Sequence, residues 1–252
     1  MAKERMRTGI PGLDDLIEGG IPRGNVTLIS GAPGTGKTLL CLQILVSGCL
    51  DGEKGMLISF EQKEKDIISQ ASRFNWNVQK LVDDGMLKLH YVDILADENI
   101  FDTIRNEVTK NGVKRLAIDS LTALQNYPAM LRNAEKLKIM VNQNEKMQWA
   151  MHERSIRRML THYFIEALKE QEGTTSFLVS DIKEDSKSLS SDGISDFLSD
   201  GVILLNFLGI GEVSSRSLYV RKMRETKHSL EVHSLEITPN GLVVKKTDEV
   251  FK

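Results

Sequence analysis

The chain has 252 residues, 40% hydrophobic and 27% charged, with 33 Lys and Arg against 35 Asp and Glu. That balance excludes wholesale disorder and a protein given over to coating nucleic acid or acidic membrane. The longest apolar stretch in a predicted helix, Thr38–Leu50, is shorter than the roughly 20 residues a membrane span needs. No apolar region follows the charged opening Met-Ala-Lys-Glu-Arg-Met-Arg, so a cytoplasmic protein is expected. Cys41 and Cys49 share one predicted helix, about 12 Å apart at 1.5 Å rise per residue, too far to bridge.

In chain order, strand-like runs fall at Val26–Ser30, Met56–Phe60, Leu87–Tyr91, Arg115–Asp119, Ser176–Ser180, Val202–Asn206, Ser217–Lys222 and Val232–Ile237. Helical patterns separate the first five: Lys37–Leu50, Glu64–Phe74, Asn99–Lys110 and a long stretch from about Ala129 to Glu170. Such alternation predicts an α/β fold with a mostly parallel sheet covered on both faces. Asn99–Lys110 shows the local logic. Asp97 suits its N-cap, Ile100, Ile104 and Val108 share one face, and Gly112 can close its end. After about Gly193 the pattern changes to short strands joined by turns, which predicts an antiparallel extension. No repeat or linker divides the chain, so residues 1–252 are expected to form one domain.

Gly31-Ala32-Pro33-Gly34-Thr35-Gly36-Lys37-Thr38 matches the phosphate-binding pattern G-x-x-x-x-G-K-[ST], between a predicted strand and a predicted helix. Glycines let successive backbone N–H groups turn toward one anion, and the helix N-terminus adds partial positive charge. Lys37 would reach the β- and γ-phosphates, and the Thr38 hydroxyl would bind Mg²⁺. Asp119, ending the apolar run Arg115–Asp119, is the matching metal-side acid, although many strands end in an Asp that merely caps a helix. Glu61, followed by Gln62, stands just beyond another strand and is the candidate for orienting the attacking water. The alternative is an early helix acid favoured by the helix dipole.

These motifs resemble the KaiC-like branch of the RecA/RadA ATPases. The likeness is carried by Thr8-Gly9-Ile10-Pro11-Gly12-Leu13-Asp14, Gly19-Gly20-Ile21-Pro22-Arg23-Gly24, the glycine-rich loop, Ser59-Phe60-Glu61, Phe74-Asn75-Trp76, Ile118-Asp119-Ser120-Leu121-Thr122 and Lys222-Met223-Arg224, in order and spacing. It covers nearly the whole chain outside about Tyr127–His162. It implies a RecA-type P-loop NTPase core, an assembly of identical subunits (commonly a hexameric ring), and ATP with Mg²⁺ held between neighbours. No residue reads the base, so ATP over GTP rests on the resemblance alone. Glu61 falls on the family's catalytic glutamate, and Lys222 and Arg224 on the basic pair that reaches a neighbour's γ-phosphate. His228, Thr238 and Pro239 fall near positions that contact nucleotide from that same side, and Ser180-Asp181 on the polar strand end that senses the γ-phosphate. Leu39, Arg73 and Met223 complete the expected nucleotide-contacting set. Without the resemblance, Arg221-Lys222-Met223-Arg224 reads as a charged strand end that discourages edge pairing.

Two departures stand out. The clock-type members carry two adjacent acids where this chain has Glu61 and Gln62, and a phosphorylated Ser-Thr pair where it has Asp196-Phe197, with Ser195 and Ser199 nearby. A single carboxylate and a doubtful autokinase follow. The second departure is a longer segment at 127–162, holding five of the ten methionines and, from Pro128, seven Lys or Arg against three Glu. A methionine-rich basic helical insertion can dock a protein partner or attract phosphates, and can equally fold back on its own subunit. The alternative function is a RecA-paralogue that binds DNA. It is disfavoured by Glu184, Asp185 and Asp192 in the Ser-rich loop Lys183–Gly193 and by the lack of aromatics there for base stacking.

Overall fold

The computed structural model describes residues 3–93, 100–126, 153–184, 186–210 and 213–245. The chain opens with β1 (Arg5–Met6), a 3-10 turn (Asp14–Ile17) and β2 (Ile21–Pro22), β1 and β2 forming a small antiparallel ribbon. The αβ portion follows: β3 (Val26–Gly31), α1 (Lys37–Leu50), β4 (Gly55–Ser59), α2 (Glu64–Ala71), α3 (Val78–Asp83), β5 (Leu87–Tyr91), α4 (Ile100–Asn111), β6 (Arg115–Asp119), α5 (Leu121–Gln125), α6 (Glu153–Lys169) and β7 (Thr175–Asp181). The short α7 (Ser195–Leu198) leads into β8 (Gly201–Ile210), β9 (Val213–Met223), β10 (Val232–Thr238) and β11 (Gly241–Lys245). Among the described residues the main sheet has the order β11-β10-β9-β8-β3-β7-β6-β4-β5. From β8 to β5 all neighbours are parallel, and β8 to β11 pair antiparallel.

Both faces of the central strands are buried, which explains their nearly continuous apolar sequences. Ile29, Leu57, Ala117, Phe177 and Ile203 face the core shared with α1, α2, α3 and the N-terminal segment. Their neighbours Leu28, Met56, Ile58, Leu116 and Leu178 face α4, α5 and α6. Ile100, Ile104 and Val108 are buried as their spacing predicts, and Gly112 closes α4 at φ +62°. Asp97, the expected N-cap, and the insertion up to residue 152 lie outside the described residues. The predicted helix Glu64–Phe74 stops at Ala71, because the following residues are claimed elsewhere. Arg73 and Phe74 make tight bonds to Gln70 and Ala71 carbonyls, and the Asn75 N–H goes to Pro239 of the β10–β11 turn. The sequence reading also lacked α3, α5 and β11, each only five or six residues long.

The β8–β9 ladder contains a bulge. Val202 pairs with Lys222 and Ile203 with Val220, leaving Arg221 as the extra residue. Parity along β9 therefore flips: Leu218 and Val220 enter the core beside α1, and so does the odd-numbered Met223. Lys222 is thereby turned to the opposite face.

Arg115 opens β6 and is 2% exposed. Its Nε donates to Glu53 Oε2 at 2.6 Å, and its Nη1 to the carbonyls of Arg7 and Ile44, both at 2.9 Å. Arg23 takes the other Glu53 oxygen at 2.6 Å. Burial alone would raise the Glu53 pKa, but hydrogen bonds from the two guanidiniums outweigh it and hold the carboxyl below its usual range. Gly48 of α1 leaves room for this group, since a Cβ there would stand 2.3 Å from Arg115 Nε. Removing one partner of a buried ion pair strands the other, so Arg115→Ala should lower the unfolding free energy by about 3–5 kcal/mol. Urea titration of both proteins checks it, and a loss below about 1 kcal/mol, the range of an exposed pair, would contradict it.

Candidate functional site

The parallel register gathers the predicted residues at one sheet edge. Gly31 ends β3 opposite Asp181 of β7, and Asp119 ends β6 opposite Ser59 of β4. Glu61 lies two residues beyond Ser59, and the Phe60 N–H bonds the Asp119 carbonyl at 2.9 Å. This is the carboxyl edge where open parallel sheets bind ligands.

The loop from Gly31 to Gly36 takes a shape that requires its glycines. Gly34 has φ +80° and Gly36 φ +105°, and a Cβ on Gly31 would lie 2.4 Å from the Leu205 carbonyl oxygen. Thr35 is buried, and its hydroxyl donates to the Ala32 carbonyl at 2.8 Å. Arg216 of β9 braces the loop from outside: its Nε donates to the Gly34 carbonyl at 3.1 Å while its guanidinium lies over the Phe207 ring. Gly36 caps α1 with no side-chain bond, and no acidic residue stands in the first turn. The N–H groups of that turn and the positive end of the helix dipole are thus left for an anion. Lys37, 7% exposed, directs Nζ to the carbonyls of Gly31 (2.9 Å) and Ala32 (3.0 Å) and to Asp181 Oδ1 (2.9 Å).

The two residues expected on the metal side meet. Thr38 Oγ1 donates to Asp119 Oδ2 at 2.6 Å, joining a hydroxyl and a carboxylate, the hard oxygen donors that suit Mg²⁺. With the unopposed helix end, this donor set fits Mg²⁺ with a nucleoside triphosphate. Burial pushes the Asp119 pKa up to about 6; the Thr38 bond and Lys37 oppose the rise, and Glu61 and Asp181 add to it. Ser120, next along, donates to Glu61 Oε1 at 3.0 Å and accepts from the Ala123 N–H, capping α5. Glu61 is exposed, and this bond ties its carboxylate to the residue next to Asp119.

The remaining predicted residues divide between the two ends of the sheet. Arg73, Thr238 and Pro239 gather at the edge bearing the glycine-rich loop, so Thr238 and Pro239 do not lie with Lys222 and Arg224 as expected: β10 runs past Arg216 toward the loop. Asn75 and Trp76, just after Arg73, bond the carbonyls of Pro239 and Asn240, and Leu242 reaches within 3.9 Å of where a Gly36 Cβ would stand. Lys222, Met223 and Arg224 lie at the other end. Met223 pairs with Gly201, which itself faces Thr27, and the Arg224 N–H bonds the Asp200 carbonyl beside Val26. Four or five strand steps of about 3.3 Å put them some 13–16 Å from Gly31 of their own chain. His228 follows in the same connection, its Nδ1 2.9 Å from the Ser229 carbonyl oxygen. Lys222 Nζ donates to the carbonyls of Asp196, Phe197 and Ser199, and Arg224 pairs with Asp200 at 3.0 Å. Burial, and then the charge of Arg224, lower the Lys222 pKa. Ser180 is fully buried and accepts from the Ser191 N–H, so Asp181 rather than Ser180 meets Lys37. Sequence reasoning gave no role to Ser120, Thr122, Gln125 or Arg216, whose contacts join separate elements.

The raised Asp119 pKa has a stability consequence. The folded protein holds a proton there more tightly than the unfolded chain, so this contribution is complete below pH ~4 and is lost as pH rises through about 6. In metal-free solution at pH 7.5, Asp119→Asn should therefore raise the unfolding free energy by roughly 2–3 kcal/mol, with almost no gain at pH 4. Denaturant unfolding at both values measures the difference, and an equal effect at both would refute it.

Comparison with known proteins places these features in context. The model of the KaiC ATPase family matches residues 6–149 and 138–249. A UPF0273 protein of Aeropyrum pernix is 30% identical over 96% of this chain and 93% of its own length. The circadian clock oscillator protein KaiC of a Nostoc species is 32% identical over 95% of this chain, which spans 44% of that protein. The crystal structure of a KaiC-like protein from Pyrococcus horikoshii superimposes with a TM-score of 0.79 at 30% identity, covering 96% of this chain and 99% of the other.

Proposed function

The chain belongs to the KaiC ATPase family, and from that premise we propose that it hydrolyses ATP with Mg²⁺ in an oligomer whose sites lie between subunits, serving a regulatory or signalling role. The observation that carries this reading is the distance between the glycine-rich loop and the Lys222–Arg224 pair. An arginine side chain cannot cover the 13–16 Å or so of strand between them, so any nucleotide these cations meet belongs to another copy.

Within one site, the loop N–H groups and Lys37 bind the β- and γ-phosphates. Thr38 and Asp119 would hold Mg²⁺, which when bound neutralises phosphate charge. Glu61, steadied by Ser120, orients and polarises the attacking water, and the neighbour's Lys222 and Arg224 stabilise charge that grows on the transferred phosphoryl group. Arg73, Leu39, Thr238 and Pro239 would border the nucleoside on the loop-bearing subunit, with His228 reaching it from the neighbour; the Met223 side chain, expected there too, is instead buried in its own subunit's core. A closed ring, commonly a hexamer in this family, completes every site.

The alternatives draw less support. Ser195 and Ser199 are fully buried, and Ser195 bonds Asp192, so neither presents its hydroxyl for autophosphorylation. The described part of the loop at 183–193 commits Ser190, Ser191 and Asp192 to hydrogen bonds with Asp196, Gln125 and Ser195, and carries no aromatic ring for a base. The 127–152 portion of the proposed partner-binding insertion lies outside the described residues. Among the described residues no helix is long and apolar enough to cross a membrane.

Turnover per subunit should rise with protein concentration as the particle mass rises, both followed with Mg·ATP present. Glu61→Gln should cut kcat by about 100-fold or more while nucleotide binding persists, and Arg224→Ala should do likewise. A subunit that stays monomeric and turns over fully, or an Arg224→Ala protein of normal rate, would overturn the shared site.

A further inference from the structure

One polar chain crosses the subunit between its two functional ends, and Gln125 sits at its centre. The residue ends α5, the helix that Ser120 caps, and is 5% exposed. Its Oε1 accepts from Ser191 Oγ at 3.1 Å, and its Nε2 donates to Asp192 Oδ2 at 2.6 Å and to Thr161 Oγ1 at 3.1 Å. A buried amide bonded on both sides has one orientation and transmits displacement rather than absorbing it.

Toward the hydrolytic edge, Ser191 Oγ also lies 3.3 Å from Thr122 Oγ1, which accepts the Asp181 N–H at 2.8 Å. Asp181 in turn holds Lys37. Toward the far end, the Asp192 carboxylate accepts from Ile194 N, Ser195 N and Ser195 Oγ, fixing the start of α7. Ser190 Oγ adds a 2.6 Å bond to Asp196 Oδ1. The end of α7 then grips Lys222 Nζ through the three carbonyls already described. Filling the space that Gln125 occupies needs no amide, since an apolar side chain of equal volume packs there without the desolvation cost of a buried polar group.

We propose that Gln125 is a positioning residue that ties the phosphate-facing edge of one subunit to the cations that subunit lends its neighbour. This rests on the shared-site reading above. Nucleotide phosphates compete with Asp181 for the Lys37 donors. A shift of Asp181 passes through Thr122, Ser191 and Gln125 to Asp192 and α7, and so to the seat of Lys222.

Complementation separates the two ends. A mixture of Glu61→Gln and Arg224→Ala subunits should regain turnover, because Arg224→Ala sites are then served by the other subunit's arginine; no recovery defeats the shared site and this proposal with it. Once recovery is established, Gln125→Leu is placed either in the lending subunit, beside Glu61→Gln, or in the hosting subunit, beside Arg224→Ala. In the lender it should lower the restored kcat by about tenfold while KM for ATP moves less than about twofold; in the host the loss should stay below about twofold. Equal losses in both placements, a loss confined to the host, or no loss at all would overturn the proposal while leaving the shared site standing. Ser191→Ala, which removes an exposed hydroxyl and spares the core, should reproduce the same asymmetry at smaller amplitude, and its absence there would count equally against the relay.

Discussion

The arrangement depends on one register: Gly31 beside Asp181, on strands that run the same way and end together. Because Lys37 follows Gly31 by one tight loop, its ammonium meets both the loop carbonyls and the Asp181 carboxylate. The next strands bring Asp119 and Glu61 to the same edge. A parallel sheet covered by helices on both faces can hold charged groups at this rim because its apolar strands bear the folding free energy below them. The positive-φ loop and the buried Asp119 carboxyl are then carried by a scaffold that does not depend on them.

Local demands on the backbone are what made the site readable from sequence. Only glycine takes the φ of Gly34 and Gly36 at no steric cost, so the loop announces itself in one dimension. Asp119 is visible as the polar stop of an apolar strand, and α1, β5 and β6 have the ends that their sequences predict. The RecA-type α/β fold implied by the motifs agrees with the mostly parallel sheet and with the superposition on a KaiC-like protein. Contacts that depend on distant segments were not legible. The short helix α5 is not predicted, and Ser120, Thr122 and Gln125 are given no role, because their partners come from the segment after β4, from β7 and from the loop before α7. Helix α2 ends early for a tertiary reason, the capture of Asn75 and Trp76 by the β10–β11 turn.

The antiparallel extension changes the character of the subunit. A purely parallel sheet would present all its strand ends of one kind on a single rim. Here β9 runs back against β8, with Arg216 touching the glycine-rich loop near one end and Lys222 seated on α7 near the other. The two rims of the subunit therefore differ, one bearing the glycine-rich loop and the other the Lys222–Arg224 cations, and one strand and the polar chain through Gln125 join them. The buried Arg115–Glu53–Arg23 group stabilises a separate region, where β6, α1 and the N-terminal segment meet.

The bulge at Arg221 gives this polarity an arithmetic basis. Because strand residues alternate sides, the added position decides whether Lys222 looks toward α7 or joins Leu218 and Val220 among the hydrocarbons. No gradual series of substitutions connects those outcomes, since the choice is odd or even. A lineage that lost one residue in β9 would keep its sheet and its phosphate loop yet turn Lys222 away from its seat on α7.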